Sequence, residues 1–162
     1  MPAPVANSDW TQPGGNAAKV MGNLALGDSL STVWTADIPG DTSRVRMAAA
    51  PVVANGTLYA MGTDGKVHAF DAATGAERWT ATTATEEQQG ARALFGGGVS
   101  VGGDRLYATN GLGDVVAMNA ADGSVIWRKR PGKANPPTDK FLLIFSVHRT
   151  SDDLTNFSHI PS

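Results

Sequence analysis

With 162 residues, the chain has the length of one ordinary domain. Thirteen basic against fifteen acidic residues give a net charge of −2, which leaves no electrostatic footprint for nucleic acid or an anionic membrane. The lack of cysteine excludes disulfides, thiol nucleophiles, Cys-based zinc sites and lipidation of the sequence given, while nineteen glycines and nine prolines favour a turn-rich β protein.

The opening "MPAPVANSDW" has neither the basic segment nor the apolar run of a leader, and no stretch reaches the roughly 18 apolar residues of a membrane span. Two possibilities stay open: a cytosolic protein, or export by a signal upstream of Met1. Residues 1–29 are expected to form a lead-in segment with little regular structure. Around Trp34, "LSTVWTADIPG" predicts an isolated strand over 30–38. A full unit follows over 48–83, with "AAPVVA", "TLYAMG", "KVHAFD" and "AERWTAT" as strands separated by Asn55-Gly56, Asp64-Gly65 and Thr74-Gly75. Asn-Gly and Asp-Gly are strong hairpin signals, because both central residues of a type I′ turn need positive φ. A second unit over 96–130 sets "GGVSVG", "RLYATN", "VVAMN" and "SVIWRK" between turns at Gly102-Gly103, Gly111 to Asp114, and Asp122-Gly123.

The two units align at an offset of 48 residues, with Tyr59 on Tyr107, Gly75 on Gly123 and Trp79 on Trp127. Four-stranded antiparallel meanders repeating every ~40–50 residues are the signature of a β-propeller. The strand at 30–38 is then expected to close the ring for the last blade.

One eleven-residue pattern recurs, Ala69, Asp71, Gly75 and Trp79 in the first unit and Ala117, Asn119, Gly123 and Trp127 in the second. A small Ala69 lets the neighbouring blade approach, Asp71 can bond turn amides, and Gly75 can take the positive φ that closes the turn. Trp79, on the outermost strand, can pack over its own blade and dock against the next. Burying its indole would stabilise by about 2–3 kcal/mol, and its N–H needs an acceptor. These eight residues are expected to form a structural docking device.

After Trp127 the pattern stops. The repeat array is expected to be cut short near residue 135, with residues 136–162 foreign to it through frameshift or gene fragmentation. "FLLIFSV", Phe141 to Val147, is dense enough to be a buried strand, but nothing after it repeats the meander.

Sites for chemistry are scarce. Asp64, Asp71 and Asp114 all fall in hairpin turns, where turn chemistry accounts for them. His68 alternates with Val67 and Ala69 and is expected on an exposed strand face, while His148 and His159 lack metal-ligand spacing. "GLGDVV" and "FGGGVSV" lack the helix or Lys-Ser/Thr of a phosphate loop and read as a turn and a strand entry. "RKRPGK", Arg128 to Lys133, reads as a solvated connection. Asn55-Gly56-Thr57 and Asn156-Phe157-Ser158 fit the glycosylation sequon, too short a signal to use. WD repeats would place Asp after the tryptophan, where Thr80 and Arg128 stand, and kelch repeats would show a double glycine closing strand two.

The motif Ala-x-Asp-x-x-x-Gly-x-x-x-Trp resembles the tryptophan-docking motif of pyrroloquinoline-quinone (PQQ) type propellers, which are usually eight-bladed; Asn119 replaces the aspartate in the second copy. Within that superfamily, "WTQPGGNAAKVMGNLAL", "VWTADI", "APVVANGTLYA" and "GGGVSV" resemble the BamB family of outer-membrane protein assembly lipoproteins in the form found in alphaproteobacteria. The resemblance covers roughly residues 8–130. It implies an all-β fold of about two to three blades of an eight-bladed propeller built from four-stranded antiparallel meanders. It also implies a non-enzymatic periplasmic scaffold, outer-membrane attached, with a BamA-type insertase as partner, no nucleic acid or small-molecule substrate, and no cofactor or metal. The sequence given carries no lipobox cysteine, and the insertase-contacting middle blades are expected to lie outside it, so no partner-binding residue is carried over. The alternative from the same superfamily is a fragment of a PQQ-dependent alcohol or sugar dehydrogenase. Such an enzyme would need bound quinone, a calcium ion and an aspartate base, and no cluster of that kind is legible in the sequence.

Overall fold

The computed structural model describes residues 2–39, 49–88 and 97–130. The chain divides into residues 1–132 and residues 133–162, and the second part, with the tail over 136–162 and its "FLLIFSV" run, lies outside the described residues.

Among the described residues, eight strands form two antiparallel sheets, each in chain order. β1 (Val52–Ala54), β2 (Thr57–Met61), β3 (Lys66–Asp71) and β4 (Glu77–Thr82) make the first. β5 (Val99–Gly102), β6 (Arg105–Thr109), β7 (Val115–Asn119) and β8 (Val125–Lys129) make the second. A short 3₁₀ turn, Glu86–Gln88, lies on the connection between them. The architecture is all-β and that of a partial propeller, as the repeat predicts.

The turns explain the register. Asn55 (φ 50°) and Gly56 (φ 68°) form a type I′ hairpin that pairs Ala54 with Thr57. The Asp64-Gly65 turn differs from expectation, since Gly65 takes φ 77° while Asp64 does not enter the left-handed region. Here Gly62 to Gly65 form a four-residue loop, closed by Gly62 N–H to Lys66 O at 2.8 Å and Gly65 N–H to Gly62 O at 3.2 Å. A loop of that length is built on a type I turn and needs only one positive φ. In both sheets the pairing of the third and fourth strands shifts register at the same place, between Ala69 and Phe70 and between Ala117 and Met118.

The core lies between the sheets. Val52, Met61 and Val67 from the first pack with Val101, Leu106, Val116 and Met118 from the second, all essentially free of solvent. β3 is buried on both faces, so His68 is buried as well, against the expectation of exposure. An inner strand of a sheet covered on both sides has no wet face to offer. His68 stacks on Phe70 with ring centroids 6.2 Å apart, and its Nδ1 lies 3.2 Å from the Thr80 hydroxyl.

Two further segments complete this unit. Residues 30–38, expected as the closing strand, pair with no strand among the described residues. Their burial still alternates, with Trp34, Ala36 and Ile38 half-buried and their neighbours exposed. Trp34 lies 6.3 Å from Phe70, so side chains rather than a backbone ladder hold the segment. The lead-in segment is more engaged than expected. Gln12-Pro13-Gly14-Gly15 is a tight turn with Gly15 N–H on Gln12 O at 2.8 Å and Gly14 at φ 90°, the geometry that Pro-Gly favours. It anchors a short strap along the first strand of each sheet: Trp10 exchanges two backbone hydrogen bonds with Val53, and Val101 N–H donates to Thr11 O at 2.8 Å.

Candidate functional site

The repeated motif builds the same loop twice. In the first sheet, Gly75 N–H donates to Asp71 O and Asp71 N–H to Ala76 O, both at 2.8 Å, with Gly75 at φ 75°. Asp71 Oδ1 accepts from the amides of Ala73 (3.0 Å) and Thr74 (2.9 Å). In the second, Gly123 N–H donates to Asn119 O at 2.9 Å, Asn119 Oδ1 accepts from Ala121 N–H at 2.9 Å, and Gly123 takes φ 74°. The loops differ in charge. Asp71 Oδ2 accepts from Arg78 at 2.6 Å, and Arg78 also reaches the Thr57 hydroxyl. Asn119 carries no charge, and Ile126 stands where Arg78 would. The Arg78 guanidinium first, then the Thr74 amide and hydroxyl, hold the Asp71 carboxyl far below the usual carboxylate range.

Each loop receives an indole from the preceding part of the chain. Trp79 Nε1–H donates to Ala120 O at 3.2 Å, and Tyr59 O–H donates to the same carbonyl at 3.0 Å. Trp34 Nε1–H donates to Ala72 O at 3.0 Å. The glycines receive the rings: a Cβ added at Gly123 would fall 2.6 Å from Trp79 Cε3, and one at Gly75 would fall 2.6 Å from Trp34 Cδ2. Ala72 and Ala120 are held from the other side too, since their N–H groups donate to Gly56 O and Asp104 O, both at 2.9 Å, in the first hairpin of their own sheet. The backbone N–H and C=O of each alanine are thus both satisfied.

Ala69 pairs directly with Trp79 across β3 and β4, and Ala117 with Trp127 across β7 and β8. A methyl group at that position leaves room for the indole to lie over its own strand and meet Tyr59 or Tyr107, at 5.8 and 6.2 Å respectively. Trp127 also carries the Lys129 ammonium 5.8 Å from its ring centroid. The expected motif residues therefore fall in two groups, Ala with its own Trp, and Asp or Asn with Gly under the preceding Trp. The acceptor carbonyls of Ala72 and Ala120 were missed, although both alanines are identical between the repeats.

A second polar centre was misread. Asp114, expected to serve its turn, is 3% exposed, and its carboxylate accepts from Arg130 Nε at 2.7 Å and Gln88 Nε2 at 2.8 Å. Asn110 does the turn work, accepting from Leu112 N–H and Asp114 N–H on its Oδ1. Arg128 donates to the carbonyl of buried Thr83, and Asn110 Nδ2 reaches the same carbonyl at 3.1 Å. Two arginines read as a solvated run thus tie the end of β8 to the connection between sheets. Lys66 occupies the aligned place in the first unit, so the repeat holds no signal for Asp114. Asp64 does serve its turn, accepting from Lys66 N–H at 3.1 Å. Among the described residues, no group of three His, Cys, Asp or Glu side chains is placed to hold a metal ion.

With this geometry, the comparisons agree on one superfamily. The profile of the glucose/ethanol/alcohol dehydrogenase β-propeller domain matches residues 27–105, and that of the outer membrane protein assembly factor BamB matches residues 86–147. Over these stretches the chain is similar to PQQ-type β-propeller repeat proteins. Within these it is similar to BamB of Salmonella typhimurium, 28% identical over 102 residues, which make up 62% of this chain and 26% of that protein. BamB of Nitrosomonas eutropha is 32% identical over 105 residues, 63% of this chain and 23% of that protein. The chain spans about a quarter of the length of these curated relatives. Among solved structures, the quinohemoprotein alcohol dehydrogenase of Comamonas testosteroni superposes with a TM-score of 0.61 at 21% identity, covering 81% of this chain and 20% of that one, which bears on the fold alone.

Proposed function

We propose that this PQQ-type propeller chain is a non-enzymatic scaffold of the BamB kind, supporting β-barrel protein assembly at the outer membrane through protein–protein contacts. The similarity to BamB proteins over some three-fifths of the chain carries the proposal. With it come, by resemblance, a periplasmic, outer-membrane-associated location and a BamA-type insertase as partner. The eight motif residues belong to the same proposal as docking elements, with Trp79 seating on the Asn119 to Gly123 loop of the next repeat, without chemistry of their own. Supporting this, Asp64 and Asp71 bond turn amides and Asp114 is paired with Arg130, so each is occupied structurally.

The dehydrogenase profile over residues 27–105 favours a second reading, a fragment of a PQQ-dependent alcohol or sugar dehydrogenase. Two measurements on the protein to which this sequence is expected to contribute two to three blades separate the readings: co-purification from solubilised outer membranes, and quinone- and calcium-dependent dye reduction by an alcohol. Recovery of the insertase without dye reduction is expected. Dye reduction without recovery of the insertase would overturn the scaffold proposal.

A further inference from the structure

The chain contains two Asn-Gly dipeptides among its described residues, and the fold treats them oppositely. Asn55 is exposed at the tip of the first hairpin, and its side-chain amide makes no hydrogen bond among the described residues. The next nitrogen, that of Gly56, donates no hydrogen bond there either. A Cβ added at Gly56 would meet nothing within 4 Å, so the peptide on that side is sterically open. Asn110-Gly111 is the internal contrast. Asn110 is 6% exposed, its Nδ2 donates to Thr83 O at 3.1 Å and Asp114 Oδ2 at 3.4 Å, and its Oδ1 accepts from the amides of Leu112 and Asp114. The carbon that would be attacked and the amide that would leave are both held.

We propose that Asn55 is a site of spontaneous, fold-selected deamidation. The Gly56 backbone nitrogen attacks Asn55 Cγ, forming an N–Cγ bond as the Cγ–Nδ2 bond breaks; the proton lost from Gly56 nitrogen leaves with ammonia. Water then opens the five-membered imide, giving aspartate if the Cγ–N bond is cut and isoaspartate if the bond from the main-chain carbonyl is cut. No oxidant or reductant is needed. The product sets a new carboxylate in the turn where Asp9 Oδ1 already accepts from Asn55 N–H at 3.0 Å, beside the strap that bridges the two sheets. Like charges there disfavour that contact.

The test is peptide mapping by mass spectrometry of the full chain held folded at mildly alkaline pH, with isoaspartyl methyltransferase labelling as a second readout. A parallel sample is kept in urea. In the folded chain, Asn55 is expected to convert about tenfold or more faster than Asn110, whose reaction requires local opening. In urea the two rates are expected to converge. Equal rates in the folded chain, or faster conversion at Asn110, would overturn the proposal, as would an Asn55 that stays intact while folded but converts in urea.

Discussion

At Gly123 two constraints coincide, a φ of 74° and an indole where a Cβ would go, 2.6 Å from Trp79 Cε3. Gly123→Ala therefore combines left-handed strain with overpacking, and we expect a loss of about 2–4 kcal/mol, read from the urea midpoint. Gly56→Ala, at φ 68° in open space, carries strain alone and is expected to cost about 1–2 kcal/mol. Equal losses at the two sites would contradict the seating of Trp79 on Gly123. Asp71 makes a pH prediction. Its folded-state pKa is depressed by Arg78 and the Thr74 contacts, so the stability it contributes is present above its unfolded pKa of about 3.9 and is lost as pH falls below that. Glu77, through the Thr80 hydroxyl and then His68, and Asp122, through Ser124, shift the same way. Comparing Asp71→Asn with the parent isolates the one group: the variant is expected to be less stable at neutral pH and the gap to close towards pH 2. Asn119, neutral at the same place in the second repeat, shows that the loop itself does not require the charge.

Among the elements, the strap is the one the repeat could not announce. Trp10→Pro removes the N–H that donates to Val53 O, and loss of protection is expected at the amides of Val53 and Val101 by hydrogen exchange, while β3 and β7 stay protected. Trp10→Ala, which keeps the backbone donor, is expected to retain it. Protection lost at Val53 alone, or fast exchange of both amides in the parent chain, would show that the strap does not bridge the sheets. The connection between the sheets depends on a buried carboxylate. Arg130→Met leaves Asp114 with Gln88 and Asn110 but no cation, and because the arginine is itself 57% exposed the cost is expected to be about 1–3 kcal/mol in a denaturant titration. No loss would mean that Gln88 and Asn110 suffice. Neither Asp114 nor His68 was legible from local pattern: alternation along β3 marks which residues share a face, but not that both faces are covered.

For the molecule as a whole, the outermost strands differ in a way that bears on association. β4 begins with Glu77 and Arg78, while β8 carries Val125 and Ile126 at the aligned places, 48% and 49% exposed. Charged residues guard an edge strand against pairing, and apolar ones invite it. Sedimentation of the chain is expected to show mass rising with concentration, and Val125→Glu with Ile126→Arg to reduce it; a concentration-independent monomer would refute this. The sequence by itself determined the meander, its 48-residue period, the type I′ turn at Asn55-Gly56 and the loop-forming residues of the docking motif. Those features rest on contacts between residues close in the chain, where backbone sterics and side-chain period leave few alternatives. Only the tertiary structure decided which loop receives each tryptophan, that Ala72 and Ala120 supply the acceptors, that Asp114 is buried under Arg130, and that Trp10 and Thr11 lie along both first strands. Those contacts join residues as much as 90 apart, Thr11 and Val101, and long-range packing selects partners that no local spacing encodes.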